Sequence, residues 1–292
     1  MGFGERVAEA VGRAGTPLVL GIDPRNDEVP PSIAGATCSR AEAADVFGRA
    51  LVEIALDERV AAVKPQIAFY EALGCGGIGA FAGILRFARE HGVLVIADAK
   101  RGDIGSTAEA YAAAFFGPEA PFACDALTVS PYLGADSIEP ILRAAQAASG
   151  GIFALVRTSN AGARDLQELG ASDGRPLYEH VARLVARLAE PTVDRSGYGA
   201  VGAVVGATAP EAASRLRTIL PHSIFLAPGL GAQGAKPAAL RPFFDAGGGG
   251  ALIPVSRAIS GAWRAFPELP WQDACRAAIR RLKAELAAAL SP

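Results

Sequence analysis

Eight short apolar runs recur along the chain, and the segments between them carry helical signals. The runs are Pro17–Asp23, Val60–Val63, Val93–Ala97, Ala126–Ser130, Ile152–Val156, Ala200–Val205, Ser223–Ala227 and Ala251–Val255. Val93–Ala97 is apolar without alternation, the pattern of a strand covered on both faces. Ser39-Arg-Ala-Glu42 has the form of a capping box and opens a helix to about Leu56, with Val46, Ala50 and Ile54 on one face. A glycine cluster at 74–79 precedes a helix that turns Ile78, Phe81, Leu85 and Ala88 inward and stops near Gly92. Asp136-Ser-Ile-Glu139 caps a further helix, Leu177, Val181, Leu184 and Leu188 mark the next, and Thr208-Ala-Pro-Glu211 starts another. A long Ala/Leu/Arg helix from about Asp273 closes the chain. Strands alternating with helices over 292 residues predict an α/β fold, a (β/α)8 TIM barrel with 1–292 as a single domain. A doubly wound sheet is the alternative architecture.

In a barrel the functional groups sit at the carboxyl ends of the strands. Those ends carry Asp23, Lys64, Asp98 with Lys100, Ser130, Gln233 and Arg257. The densest is Val93-Leu-Val-Ile-Ala-Asp98-Ala-Lys100-Arg-Gly-Asp103-Ile-Gly105. Side chains alternate along a strand, so Asp98 and Lys100 point to the same side. Asp103 falls in the turn before Ser106-Thr-Ala-Glu109, a further capping-box pattern. A structural ion pair with a helix cap would account for one acid and one lysine. Three charges at the mouth of a buried strand are expensive unless they serve one another or a ligand. The pattern points to a catalytic site.

Composition sharpens that reading. Only Lys64, Lys100, Lys236 and Lys283 among 28 basic residues are lysine. Arginine supplies charge elsewhere, whereas lysine can lose its proton and so serve as acid or nucleophile. Lys64 and Lys100 both follow apolar strands. The net charge of −2 gives no basic footprint for nucleic acid or an anionic membrane. Cys38, Cys75, Cys124 and Cys275 are widely spaced and the chain has three histidines, so neither a zinc site nor a disulfide framework is expected. No leader pattern or membrane-length apolar run is present, and a soluble, cytoplasmic protein is expected.

Gly229-Leu-Gly231-Ala-Gln-Gly234 matches G-x-G-x-x-G, but it follows the seventh strand rather than the first. In a barrel, the loops after strands seven and eight form the usual phosphate site. Glycine there admits backbone N–H groups to an anion, and Arg257 can grip it in bidentate fashion. The alternative is a glycine-rich turn beside a surface arginine. Gly247–Gly250 lies before the eighth strand, on the opposite face, and reads as a flexible turn.

Asp98-x-Lys100-x-x-Asp103-Ile104, with Lys64 ending the preceding strand, resembles orotidine 5′-phosphate decarboxylase. The likeness covers most of the chain: Gly-Ile-Asp23-Pro-Arg, Lys64-Pro-Gln, Ser130-Pro-Tyr, Pro228-Gly and Ser256-Arg257 also match, in the spelling of the longer bacterial branch. The resemblance implies conversion of orotidine 5′-phosphate to UMP and CO2 in pyrimidine biosynthesis, with no metal and no cofactor, in a homodimer with shared active sites. It implies a charged tetrad of Lys64, Asp98, Lys100 and Asp103, with Lys100 as proton donor to C6 and Asp103 reaching into the partner's site. Asp23 would hold ribose hydroxyls, Thr107 would help from the partner subunit, and Ser130 would read the pyrimidine. Pro228 would contact the substrate, and Gln233 and Arg257 the phosphate.

Related barrels offer other readings. A sugar-acid phosphate decarboxylase or a hexulose-phosphate synthase shares D-x-K-x-x-D but needs magnesium and an acid where Lys64 stands. A Schiff-base aldolase would use Lys100 as nucleophile. A non-catalytic phosphate-binding barrel has no use for a lysine flanked by two acids.

Overall fold

The computed structural model describes residues 1–231 and 234–290. Eight parallel strands close into a barrel in chain order, with β8 paired back to β1. They are β1 Leu18–Ile22, β2 Ala62–Pro65, β3 Leu94–Arg101, β4 Ala126–Val129, β5 Gly151–Arg157, β6 Val201–Val205, β7 Phe225–Leu226 and β8 Ala251–Val255. The (β/α)8 architecture expected from the sequence is the one observed. The eight apolar runs become its wall because a strand sandwiched between barrel interior and helices has no polar face. All five residues of β1, β6 and β8 are buried.

Helices clothe the outside. In order they are α1 Phe3–Ala14, α2 Pro31–Ala34, α3 Arg40–Asp57, α4 Ala68–Glu71, α5 Gly74–Glu90 and α6 Gly105–Phe115. There follow α7 Glu139–Ala147, α8 Ala163–Leu166, α9 Leu177–Ala189, α10 Pro210–Ile219, α11 Arg257–Ser260 and α12 Trp271–Leu290. Helix α1 has no counterpart in the strand-and-helix alternation. It buries Phe3, Val7, Ala10 and Ala14, and Phe3 packs edge-on against Phe153 with ring centroids 5.9 Å apart. It thereby covers the amino-terminal end of β5, opposite the face where the charges gather.

Local expectations fared unevenly. At Ser39 the capping box forms: its Oγ accepts from the Glu42 N–H at 3.1 Å, and the Glu42 carboxylate accepts from the Cys38 N–H at 2.6 Å. On α3, however, Val46 is exposed, and Phe47, Leu51, Val52 and Ile54 supply the buried face. Glycines 76, 77 and 79 do not precede α5; they lie in its first turns. Gly77 is required there, since a Cβ would sit 2.0 Å from the Tyr70 carbonyl oxygen. The second capping box does not form. Helix α6 starts two residues early, with Ile104 as its N-cap and Ser106 inside it. Nor does Asp136 cap α7, whose N-cap is Ile138; a 3₁₀ turn over Ala135–Ser137 intervenes, and the Ser137 hydroxyl donates to the Gly134 carbonyl at 2.6 Å.

Candidate active site

The carboxyl ends of the strands open onto a cavity of about 800 Å³ whose walls include Asp23, Lys64, Asp98, Lys100, Pro228 and Arg257. At its centre the Asp98 carboxylate is 7 % exposed and lies between two ammonium groups. Lys64 Nζ donates to Oδ2 at 2.7 Å and Lys100 Nζ donates to Oδ1 at 2.5 Å. Thr128 on β4 adds a third donor, its hydroxyl giving a hydrogen bond to Oδ1 at 3.0 Å.

Burial alone would push the Asp98 carboxyl up, but the two lysines and their hydrogen bonds overcome it and hold the acid well below the usual carboxylate range. Lys64 is buried as well, which disfavours its charge. Attraction to Asp98 and Asp23 outweighs that, and the Lys64 ammonium is held above its ordinary value. Lys100 differs from Lys64 in access. Its side chain is 45 % exposed, so the ammonium that touches Asp98 also faces the cavity.

The backbone at this point is irregular. Pairing of β3 with β4 shifts between Ala97 and Arg101, and Lys100 adopts φ +48°, a left-handed conformation for a non-glycine residue. Such a conformation costs on the order of 1–3 kcal/mol and persists only where its surroundings enforce it. The regular alternation expected from the sequence is therefore broken, yet Asp98 and Lys100 still meet.

On the neighbouring strand end, Asp23 follows β1 and its Oδ1 is buried with no hydrogen-bond partner. An acceptor in that state suits a hydroxyl donor from a ligand. Gly21 in β1 is fixed by what lies across from it. A Cβ there would fall 1.9 Å from the Ser256 hydroxyl, so only glycine lets the β8 end, with Arg257 just beyond, close against β1.

The remaining sequence candidates divide. Asp103 is half-buried beyond β3, its carboxylate accepting the Ile104 N–H at 2.8 Å, and it does not line the cavity of its own chain. Thr107, on the first turn of α6, is exposed and likewise outside it. Ser130 follows β4 directly but also lies outside the lining: its N–H is tied to the Arg101 carbonyl at 2.8 Å. Gln233 lies outside the described residues.

Other residues line the cavity unannounced. Thr128, Thr158, Ser159, Asn160 and Gln167 all do so. The polar segment after β5 folds back on itself: Gln167 donates to the Thr158 hydroxyl and accepts its N–H, both at 2.8 Å, while Arg157 pairs with Glu168 at 2.7 Å. The signal for Thr158 to Asn160 was their place after an apolar strand. Thr128 gave none, since threonine is an ordinary strand former. Among the described residues, no three His, Cys, Asp or Glu side chains gather in a way that could hold a metal ion.

Residues 16–264 match the model of the Orotidine 5′-phosphate decarboxylase / HUMPS family. The orotidine 5′-phosphate decarboxylase of Rhodopirellula baltica is 42% identical over 300 residues, covering 98% of this chain and 99% of that protein. A crystal structure from Streptomyces avermitilis superposes with a TM-score of 0.84 at 37% identity, covering 100% of this chain and 96% of the other. The OMP decarboxylase of Leishmania donovani superposes with a TM-score of 0.78 at 36% identity, covering 99% of each chain.

Proposed function

The chain belongs to the Orotidine 5′-phosphate decarboxylase / HUMPS family, and from that premise we propose that it converts orotidine 5′-phosphate to UMP and CO2 with Lys100 as proton donor. The observation that carries the reading is the Asp98 carboxylate held between Lys64 and Lys100, with Lys100 open to the cavity. The chain is a decarboxylase, and the work of its site is to make a bad carbanion tolerable.

When the bond from C6 to the carboxylate breaks, CO2 leaves and the electron pair stays on C6, in the plane of a ring that delocalises it poorly. The Lys100 ammonium beside that carbon stabilises the growing charge, then gives up one proton to form the new C–H bond and regains it from solvent. Arginine could offer the charge but not the proton. Asp98 holds and aims Lys100, and Lys64 in turn balances Asp98. The same carboxylate crowds the substrate's own carboxylate, a repulsion relieved as CO2 departs.

The rest of the substrate is gripped at a distance. Arg257 and the glycine-bearing loop with Gln233 hold the phosphate, Pro228 packs beside it, and Asp23 accepts from ribose hydroxyls. The pyrimidine edge is read by Ser130, with Thr158 and Ser159 of the cavity wall as further polar groups. Binding energy from the phosphate is then available to order the site around the reacting carbon. We read the enzyme as one barrel domain, cytoplasmic, working as a homodimer in which Asp103 and Thr107 complete the partner's site and not their own. Neither metal nor organic cofactor takes part. A hexulose-phosphate synthase would need an acid in place of Lys64, so that activity is set aside.

The test is ultraviolet-monitored loss of orotidine 5′-phosphate by the purified protein, with and without exhaustive chelation. Turnover is expected in both. No turnover in either overturns the assignment. Turnover that stops with chelator and returns with magnesium overturns the metal-free mechanism alone.

A further inference from the structure

The β3 bulge leaves Asp98, Ala99 and Lys100 facing a single residue of β4. Ala97 pairs with Leu127 and Arg101 with Val129, so three residues stand opposite Thr128. A ladder interrupted in this way loses partners for its backbone N–H groups, and a buried N–H without one is strongly disfavoured. Here the Thr128 hydroxyl replaces the ladder. It accepts from the Ala99 N–H at 3.0 Å and from the Lys100 N–H at 2.9 Å, and it donates its own hydrogen to Asp98 Oδ1 at 3.0 Å.

A hydroxyl has one hydrogen and two lone pairs, and all three are used. The group is 1 % exposed, so water does not compete for them. In a regular strand consecutive N–H groups point to opposite edges, and both reach one oxygen only because Lys100 turns into the left-handed region at φ +48°. The oxygen of Thr128 is thus the partner that rewards the strained turn. The turn in turn sets where the Lys100 side chain leaves the backbone.

We propose that Thr128 is a positioning residue for the decarboxylation: its hydroxyl fixes the bulge from which Lys100 is aimed and ties that bulge to the Asp98 carboxylate. It does so through the two reacting partners and not through substrate, which distinguishes it from the groups that grip phosphate or ribose. The proposal rests on the decarboxylase reading above, but the local geometry it asserts can be read without substrate.

Three substitutions grade the hydrogen bond, Ser and Cys at the loss of the γ-methyl group. Thr128→Ser keeps the hydroxyl, Thr128→Cys weakens it, and Thr128→Val removes it while keeping the branched shape. The steady-state expectation is a kcat falling in that order, with Ser within about threefold of the parent and Val down by roughly a hundredfold, as a misplacement near 1 Å can produce. KM for orotidine 5′-phosphate and the affinity for UMP should stay within a fewfold, because no ligand contact is touched. Equal kcat in the Ser and Val variants, or kcat and UMP affinity falling together, would defeat the proposal. The second measurement is hydrogen exchange of the Ala99 and Lys100 amides in the ligand-free protein. They should be protected in the parent and the Ser variant and exchange faster in Cys and Val. Unprotected amides in the parent sink the idea whatever the substrate proves to be. Should Val fail to fold, the Ser-to-Cys comparison decides by both readouts. An inactive parent with protected amides would instead count against orotidine 5′-phosphate as substrate.

Discussion

At the scale of single residues, the site is governed by one buried acid with two cationic neighbours. Removing the acid's charge strands Lys64, which is 7 % exposed. Asp98→Asn is therefore expected to lower stability by about 3–5 kcal/mol at neutral pH, the usual penalty for leaving one half of a buried pair. Because the Asp98 carboxyl is held below its ordinary value of 3.8, its contribution is complete above that value and fades as pH falls toward the folded-state pKa. The gap between parent and variant in urea unfolding should thus narrow on acidification below about pH 4. A gap that widens there would mean the acid is not ion-paired in solution. Lys64 has the opposite sense: raised above 10.5, it stabilises fully below that pH and loses its effect only as pH climbs through the higher folded value. Arg257 supplies a contrasting residue-level prediction. Arg257→Ala should lower kcat/KM for orotidine 5′-phosphate by several kcal/mol equivalent, on the order of 10²–10³-fold. Activity toward orotidine, which lacks the phosphate, should barely change. Equal losses would place Arg257 elsewhere. The charged residues were legible in the sequence because lysine and aspartate at the end of an apolar run are incongruous. Thr128 was not, because its type suits the strand it occupies and its role depends on a register shift that composition does not encode.

At the scale of elements, strands were readable and caps only in part: the box at Ser39 formed, those at Ser106 and Asp136 did not. An apolar run of four or five residues between helices has one solution in a parallel barrel, so all eight were found within a few residues. Caps depend on where the preceding chain leaves a helix's first N–H groups. Ser106 and Asp136 had the right spacing but fell two residues from the observed N-caps, Ile104 and Ile138. The segment after β1 shows a further arrangement that spacing could not reveal. Glu28 is fully buried against α11: the Ser260 hydroxyl donates to its Oε2 at 2.6 Å, the Trp263 indole N–H donates to its carbonyl at 3.0 Å, and Oε1 has no hydrogen-bond partner. This side chain joins the loop behind Asp23 to the short helix that begins at Arg257. Burial pushes its carboxyl up, aided by Asp23 and opposed by the Ser260 hydrogen bond and Arg25. A raised acid stabilises the fold fully below its ordinary value of 4.5 and loses that contribution as pH rises through the folded-state pKa. Glu28→Gln removes the titration while keeping the shape. Relative to the parent, the variant should gain stability as pH rises from 4 to 8. Urea midpoints across that range check it, and a parallel pair of curves would show that Glu28 ionises in the fold at little cost.

At the scale of the whole molecule, the tetrad implied by the family likeness is incomplete within one chain. Lys64, Asp98 and Lys100 share the cavity, while Asp103 lies beyond the strand end and Thr107 on the exposed first turn of α6. Around them the surface is apolar as well as charged: Ile104 is 54 % exposed, Leu133 50 % and Tyr132 75 %, on the loops that follow β3 and β4. Large exposed side chains on adjacent loops suit burial against another protein surface. On the proposed shared-site reading, a second copy of the chain placed there supplies its own Asp103 to this Lys100, and a two-fold axis makes the exchange reciprocal. That arrangement has a sharp genetic consequence. Homodimers of Lys100→Ala and of Asp103→Asn should each be nearly inactive, because every site lacks a charge. A mixed dimer gathers both defects into one site and leaves the other whole. Mixing the two inactive proteins under conditions that permit subunit exchange should therefore restore activity, to at most about half the sites of each heterodimer. Exchange confirmed by mass spectrometry with activity still at background would assign Asp103 to its own chain. The barrel would then have to complete its charge alternation with residues from within.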